Sequence, residues 1–243
     1  MARIELRDCT IYIQDGLSGT AAVDEAGLSG TETDFDIDTI VLNSADTDLI
    51  PVGARFTVAG ETGSPIHTVT ARTPTSASPT TNIVFTPALA AAVAEDAVVT
   101  FLPQRIEVKI GDGNITWTKN KEYNYELDRG NLDTVREGDQ IPLDVTIDFT
   151  YEHIRTGTSE TITPDDALDG IGGAAEWVSA SSDPCEPYCV DIVIEHATPC
   201  GSVEDETTTL PDFRYESLNH DLDAATISAT GRCNVTAPTV TRS

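Results

Sequence analysis

The chain is predicted to be mainly β: an antiparallel β-sandwich or barrel with one flanking α-helix, carrying an inserted small β-barrel. Three observations predict this. Residues 143–151 place Leu143, Val145, Ile147, Phe149 and Tyr151 on one face, against Asp144, Thr146, Asp148 and Thr150 on the other, which is the period of a half-buried strand. Similar alternating runs recur along the chain, separated by Gly, Pro, Ser and Thr clusters that read as turns. Only one segment, opening at Thr163-Pro-Asp-Asp166, carries a strong helix start.

Taken in order, residues 3–14 alternate for much of their length, with Ile4, Leu6, Ile11 and Ile13 apolar. Residues 15–30, DGLSGTAAVDEAGLSG, are small and loop-like. From about residue 40 to 103 Ser, Thr, Ala and Pro are abundant and only Arg55 and Arg72 are basic. Strand-like runs there cover 54–59, 66–71, 83–86 and 98–102, with a helical turn at 87–94, where alanine favours it, and an exposed loop tip at 74–81. These features predict a small barrel over 40–103, set between 1–39 and 104–243 of the main domain.

Beyond Pro103, Ile106, Val108 and Ile110 alternate with charged residues, Gly111-Asp-Gly113 marks a bulge or tight turn, and 115–119 resumes extended structure with Trp117. In the helix, Thr163 caps free amides, Pro164 suits the first position, and Asp165 and Asp166 suit the positive end of the dipole. Leu168 and Ile171 are expected to face the core, and Gly172-Gly173 to end or weaken the helix. Further strands are read at 190–196, 213–218 and 226–235, with an acidic hairpin tip at 202–206.

Composition narrows the function. At 243 residues the chain can bury a real core as one large domain or two small ones. Its formal charge of -27 excludes binding of nucleic acid by phosphate neutralisation, although such a surface can enclose or guide DNA by repelling it. No apolar run is long enough to span a bilayer, and the first residues alternate as a strand instead of forming a signal sequence. These features suggest a protein made and kept, or assembled, in a cytoplasm.

Chemistry is sparse. Both GLSG repeats (16–19 and 27–30) set the serine one residue short of a nucleophile elbow and read as turns. Asp34-x-Asp36-x-Asp38 opens like a calcium loop, but Thr39 stands where a glycine turn is needed and Ala45 where the bidentate glutamate belongs; an acidic strand face accounts for it better. Cys185, Cys189 and Cys200, with His196 nearby, make the best zinc candidate, yet their spacing departs from paired knuckles. Pairing of Cys185 or Cys189 with Cys200 in an oxidising medium and idle thiols are the other readings. Cys9 and Cys233 complete the five cysteines, and His67, His153, His196 and His220 are dispersed. No catalytic residue, metal site or cofactor is assigned, and no enzyme is expected.

The segment from 119 to 152, KNKEYNYELDRGNLDTVREGDQIPLDVTIDFTYE, is the most informative. Together with Ile115-Thr-Trp-Thr118, Thr209-Leu-Pro-Asp212 and the stretch ISATGRCNVTAPTV at 227–240, it resembles the tail tube (major tail) proteins of tailed bacteriophages. The likeness covers 1–38 and 104–243, while VGARFTVAG and NIVFTPALAAAVAEDAVVTF are similar to small β-barrel modules of phage structural proteins. The resemblance implies a β-sandwich tube subunit that forms hexameric rings stacked into a hollow tube. Its partners would be further copies of itself, a tape-measure protein, a tail terminator and baseplate or tip proteins. Viral DNA would pass through without specific binding, and the protein would reside in the virion after assembly in the host cytoplasm. The inserted module, which the simplest tube subunits lack, would decorate the exterior.

That role suggests two sets of residues. A bore that must not hold DNA suits carboxylates, and Asp144, Asp148 and Glu152, then Asp191 and Glu195, are the lumen-facing candidates. The mixed-charge loop, with Lys119, Lys121, Asp128, Arg129, Asp133, Arg136, Glu137 and Asp139, suits ring-to-ring contact, Arg129 and Arg136 meeting carboxylates of the next ring. The alternative function is a virion-attached β-sandwich that binds host-surface carbohydrate. It would need an aromatic platform, and the insert offers only Phe56, Phe85 and Phe101. A zinc-dependent enzyme stands third.

Overall fold

The structure is a computed structural model that describes residues 8–43, 50–74, 81–109, 114–150, 155–156, 159–160, 162–183, 185–197 and 205–242. The loop tip at 75–80, the glycine bulge at 111–113, His153, Cys200, most of the acidic tip at 202–206 and the start of the first strand lie outside them. The chain is mainly β, with antiparallel sheets, one short helix and one closed six-strand barrel. In order, the first strands are β1 (Cys9–Gln14), β2 (Gly19–Val23), β3 (Asp34–Leu42), β4 (Arg55–Val58), β5 (His67–Pro74) and β6 (Thr81–Thr86). There follow β7 (Val98–Leu102), β8 (Arg105–Val108), β9 (Ile115–Thr118), β10 (Tyr123–Asp128), β11 (Asn131–Glu137) and β12 (Leu143–Thr150). Then come β13 (Arg155–Thr156), β14 (Ser159–Glu160), α1 (Pro164–Asp169), β15 (Val190–His196), β16 (Glu206–Asp221), β17 (Thr226–Cys233) and β18 (Thr239–Arg242). None of the described helices is long and apolar enough to cross a membrane.

Two compact units divide the chain. The first comprises Met1–Gln14, Ile106–Asp169 and Ala180–Ser243; the second comprises Asp15–Arg105 and Gly170–Ser179.

In the first unit one antiparallel sheet runs β8-β1-β15-β16-β17-β12-β9, with β18 beside β16. Its two edge strands, β8 and β9, are consecutive in the chain. The Lys109 carbonyl just after β8 accepts a hydrogen bond from the Thr150 N–H at the far end of β12, at 2.7 Å. The sheet therefore rolls until its edges approach. Alternation decides what the roll encloses: Leu143, Val145, Ile147 and Phe149 of β12 are buried, as are Ile11, Ile13, Ile192, Leu210, Phe213, Ile227 and Ala229, each worth about 1.5–3 kcal/mol for the larger side chains. Helix α1 begins as expected. Asp166 N–H donates to Thr163 Oγ1 at 3.1 Å while Thr163 N–H donates to Asp166 Oδ2 at 3.2 Å, a reciprocal cap. Leu168 is buried, but Ile171 is 55% exposed: Gly170, at φ 64°, ends the helix before Ile171 can join its apolar stripe.

Gly231 of β17 faces the bulge in β16 between Tyr215 and Ser217. A Cβ there would lie 2.1 Å from the Arg214 carbonyl oxygen and 2.6 Å from the Tyr215 Cα, and neither backbone atom can yield without breaking the central pairing. Gly231→Ala is expected to destabilise this unit by about 3 kcal/mol, read from the midpoint of chemical denaturation.

The second unit is a closed barrel in the order β2-β3-β6-β5-β4-β7, in which β2 pairs back to β7. It reaches beyond the 40–103 of the sequence reading, because β2 and β3 supply two of its staves. β2 lies in a stretch that reads as loop; Ala21 and Val23 nonetheless point inward. The interior is filled by side chains, as a barrel this small requires. Phe35, Phe56, Phe85 and Phe101 interlock with ring centroids 4.9–6.1 Å apart. The leucines of both GLSG repeats, Leu17 and Leu28, are buried in the same core. The expected helical turn at 87–94 does not form. The Ala90 amide, which a helix from Pro87 would pair with the Thr86 carbonyl, is committed to the Glu61 carboxylate; Leu89 N–H donates to the Glu32 carbonyl and Val93 bridges to Leu28, which holds the segment against the barrel.

Candidate assembly surfaces

The segment read as a charged loop is itself a sheet. β10 and β11 pair antiparallel, and Asp128 faces Asn131 across a two-residue turn of Arg129 (φ 52°) and Gly130 (φ 87°). Two consecutive positive φ values make the primed turn whose twist matches a hairpin. Every residue of both strands is exposed.

The hairpin's two faces differ. Tyr125 opposes Val135, Leu127 opposes Leu132, and Tyr123 stands on the same side; these five side chains are 45–72% exposed. On the other face Asn124 opposes Arg136 and Glu126 opposes Thr134. There Thr134 Oγ1 donates to Glu126 Oε2 at 2.9 Å, and Arg136 Nε lies 3.5 Å from Glu126 Oε1. Asp133 is the extra residue of the bulge. At the hairpin's base a cleft of about 300 Å³ is lined by Lys119, Lys121, Glu122, Glu137, Asp139 and Thr236. The proposed stacking residues thus divide: Asp128 and Arg129 at the tip, Asp133 and Arg136 along the arm, Lys119, Lys121, Glu137 and Asp139 at the base. Arg136 already has a partner in Glu126. The apolar stripe escaped a reading focused on charge, although Tyr123, Tyr125 and Leu127 alternate plainly.

A second surface is the non-core face of the rolled sheet. Register through β12, β17, β16 and β15 puts Asp144, Asp148, Asp191 and Glu195 on this one face. Glu152 lies outside the described residues. The face is not a bare row of carboxylates, because Arg232 stands opposite Asp144 in register, with Nε 3.0 Å from Asp144 Oδ1 and a guanidinium nitrogen 3.6 Å from Glu216. Asn120 Nδ2 also donates to Asp144 at 3.0 Å. Arg214, beside Arg232, is held by Glu186 at 2.6 Å, and hydrogen bonds from Ser181 and Arg214 keep the Glu186 carboxyl below its usual range. Asp148 faces Ser228, and Glu195 lies between Thr10 and Thr207. Asp191 accepts the Asp212 N–H at 2.9 Å; burial raises its carboxyl above the ordinary value despite that bond.

The thiols are dispersed in environment: Cys185 is exposed and Cys189 and Cys233 are buried, with burial first and the nearby Asp191 next pushing the Cys233 thiol up to about 12. All four barrel phenylalanines are buried, so they offer no aromatic platform for a sugar ring. No family model matches this chain, and neither the curated proteins nor the solved structures contain a match to it.

Proposed function

We propose that this chain is a structural virion protein, the subunit of a bacteriophage tail tube, which forms hexameric rings that stack into a conduit for the genome. The observation that carries the reading is the β10–β11 hairpin. A two-stranded ribbon with no covering layer is marginal in water, and a contiguous apolar stripe on its surface marks a contact with another molecule. A repeating assembly supplies that contact at every copy. The acidic face of the rolled sheet supports the same reading. Arg214 and Arg232 on it are matched by Asp144, Glu216 and Glu186, so DNA passing over them meets excess carboxylate and no uncompensated cation among these residues.

At a formal charge of -27 per copy the subunits repel one another, so assembly should strengthen as salt screens that repulsion. Negative-stain microscopy and light scattering of the purified chain, over rising concentration and ionic strength, test the proposal. Rings or tubes with an open bore are expected. A monodisperse monomer throughout would overturn it.

A further inference from the structure

Residues 170–179 leave the first unit after α1, lie in the second unit, and return at residue 180. Within the second unit they form a strap on the barrel. Val178 packs against the barrel core, and its carbonyl accepts the Gly16 N–H at 2.9 Å. Two carboxylates attach it further. Glu176 accepts the Val52 N–H at 3.0 Å and the Arg72 guanidinium at 2.9 Å, in a partly exposed setting, where such a pair contributes little. Asp15 is fully buried. Its Oδ1 accepts the amides of Leu17 (3.1 Å) and Gln104 (2.7 Å), and its Oδ2 accepts Gln104 Nε2 (3.1 Å) and the Val178 N–H (3.3 Å).

These partners are all uncharged. The charged groups nearest along the same segments are Arg105, which follows Gln104, and Glu176, which Arg72 engages. A buried carboxylate with only amide donors retains much of its desolvation cost. A proton relieves it without losing the clasp: with the Gln104 amide turned over, Oδ2–H donates to the Gln104 carbonyl oxygen while still accepting the Val178 N–H. The strap also carries Trp177, only 8% exposed, whose indole Nε1 is buried with no hydrogen-bond partner among the described residues. That orphan donor adds a second cost to the closed position.

We propose that residues 170–179 are a proton-latched strap, closed on the barrel when Asp15 is protonated and freer to lift when Asp15 is ionised. Burial, outweighing the donors, raises the Asp15 carboxyl from 3.8 to about 6. The closed form therefore binds the proton more tightly than an open form with Asp15 in water. The latch is strongest below about pH 4 and weakens as pH rises through about 6. The gap of 6 − 3.8, about two units, shifts the open-to-closed ratio about 100-fold.

Trp117 and Trp177 are the two tryptophans, so Trp117→Phe in the full chain leaves Trp177 as the reporter. Its emission should be blue and poorly quenched by acrylamide in acid, then shift red and quench more easily with a midpoint between about pH 4 and 6. Asp15→Asn should remove that midpoint. Hydrogen exchange of the 170–179 amides in the unmodified chain, corrected for intrinsic rate, should show protection falling as pH rises. Protection and Trp177 accessibility that do not change with pH would overturn the proposal, as would an identical transition in Asp15→Asn.

Discussion

Replacing Tyr125, Leu127 and Val135 together by serine is expected to abolish rings and tubes while leaving the monomer folded. Each of these side chains is more than half exposed. In the free chain their loss should change stability by less than about 1 kcal/mol. In an assembly each would bury on the order of 100 Å² of apolar surface, worth about 2 kcal/mol, so the triple variant forfeits about 6 kcal/mol per contact. At about 1.4 kcal/mol per factor of ten this weakens association by about four orders of magnitude. Asn124→Ala, on the polar face, should assemble normally. Microscopy and sedimentation of the two variants at matched concentration make the comparison. Tubes formed by the triple variant at the same threshold as the unmodified chain would show that the stripe is not the joint.

The elements that were legible in the sequence are those whose signal is local. The alternation of β12 and the cap formed by Thr163 with Asp166 depend on neighbours within a few residues, and both were readable. The barrel's limits were not. β2 reads Gly-Thr-Ala-Ala-Val, with one large apolar residue and so no visible strand period; its place depends on Gly19, at φ 147°, where a Cβ would lie 2.1 Å from the Val41 carbonyl. The strap at 170–179 follows a helix by only a residue yet belongs to the barrel's unit, a tertiary fact with no sequence marker. The acidic face shows the same limit. Its carboxylates were visible as a row, but Arg232 lies 88 residues from Asp144 and reaches it only through the β12–β17 register.

Within the barrel, Glu61→Ala and His67→Ala are each expected to cost about 3–5 kcal/mol, while Glu61→Gln costs far less. Both side chains are fully buried, and His67 Nε2 lies 2.8 Å from Glu61 Oε2. His67 Nδ1 is 2.7 Å from the Pro87 carbonyl, which can only accept, so Nδ1 carries a hydrogen. A second proton must then lie between Nε2 and the carboxylate, and the pair enters the core as a unit with no net charge. The other carboxylate oxygen accepts the Ala90 N–H at 2.5 Å, and the imidazole ring stacks on Phe56 and meets Phe85 edge-on, both at 5.2 Å. Removing His67 leaves a carboxylate among phenylalanines with one partner gone. Removing Glu61 orphans the Ala90 amide and the imidazole. Glutamine can still accept from Ala90 and donate its amide N–H to the Nε2 lone pair of a neutral His67, so every polar atom stays matched. Trp177 belongs to the barrel's unit, so in a Trp117→Phe background its fluorescence during chemical denaturation follows that unit. The expected order of midpoints is unmodified chain, then Glu61→Gln, with both alanine variants well below. A glutamine variant as unstable as the alanines would mean that the barrel requires the charge itself, and that matched hydrogen bonds alone do not hold its interior.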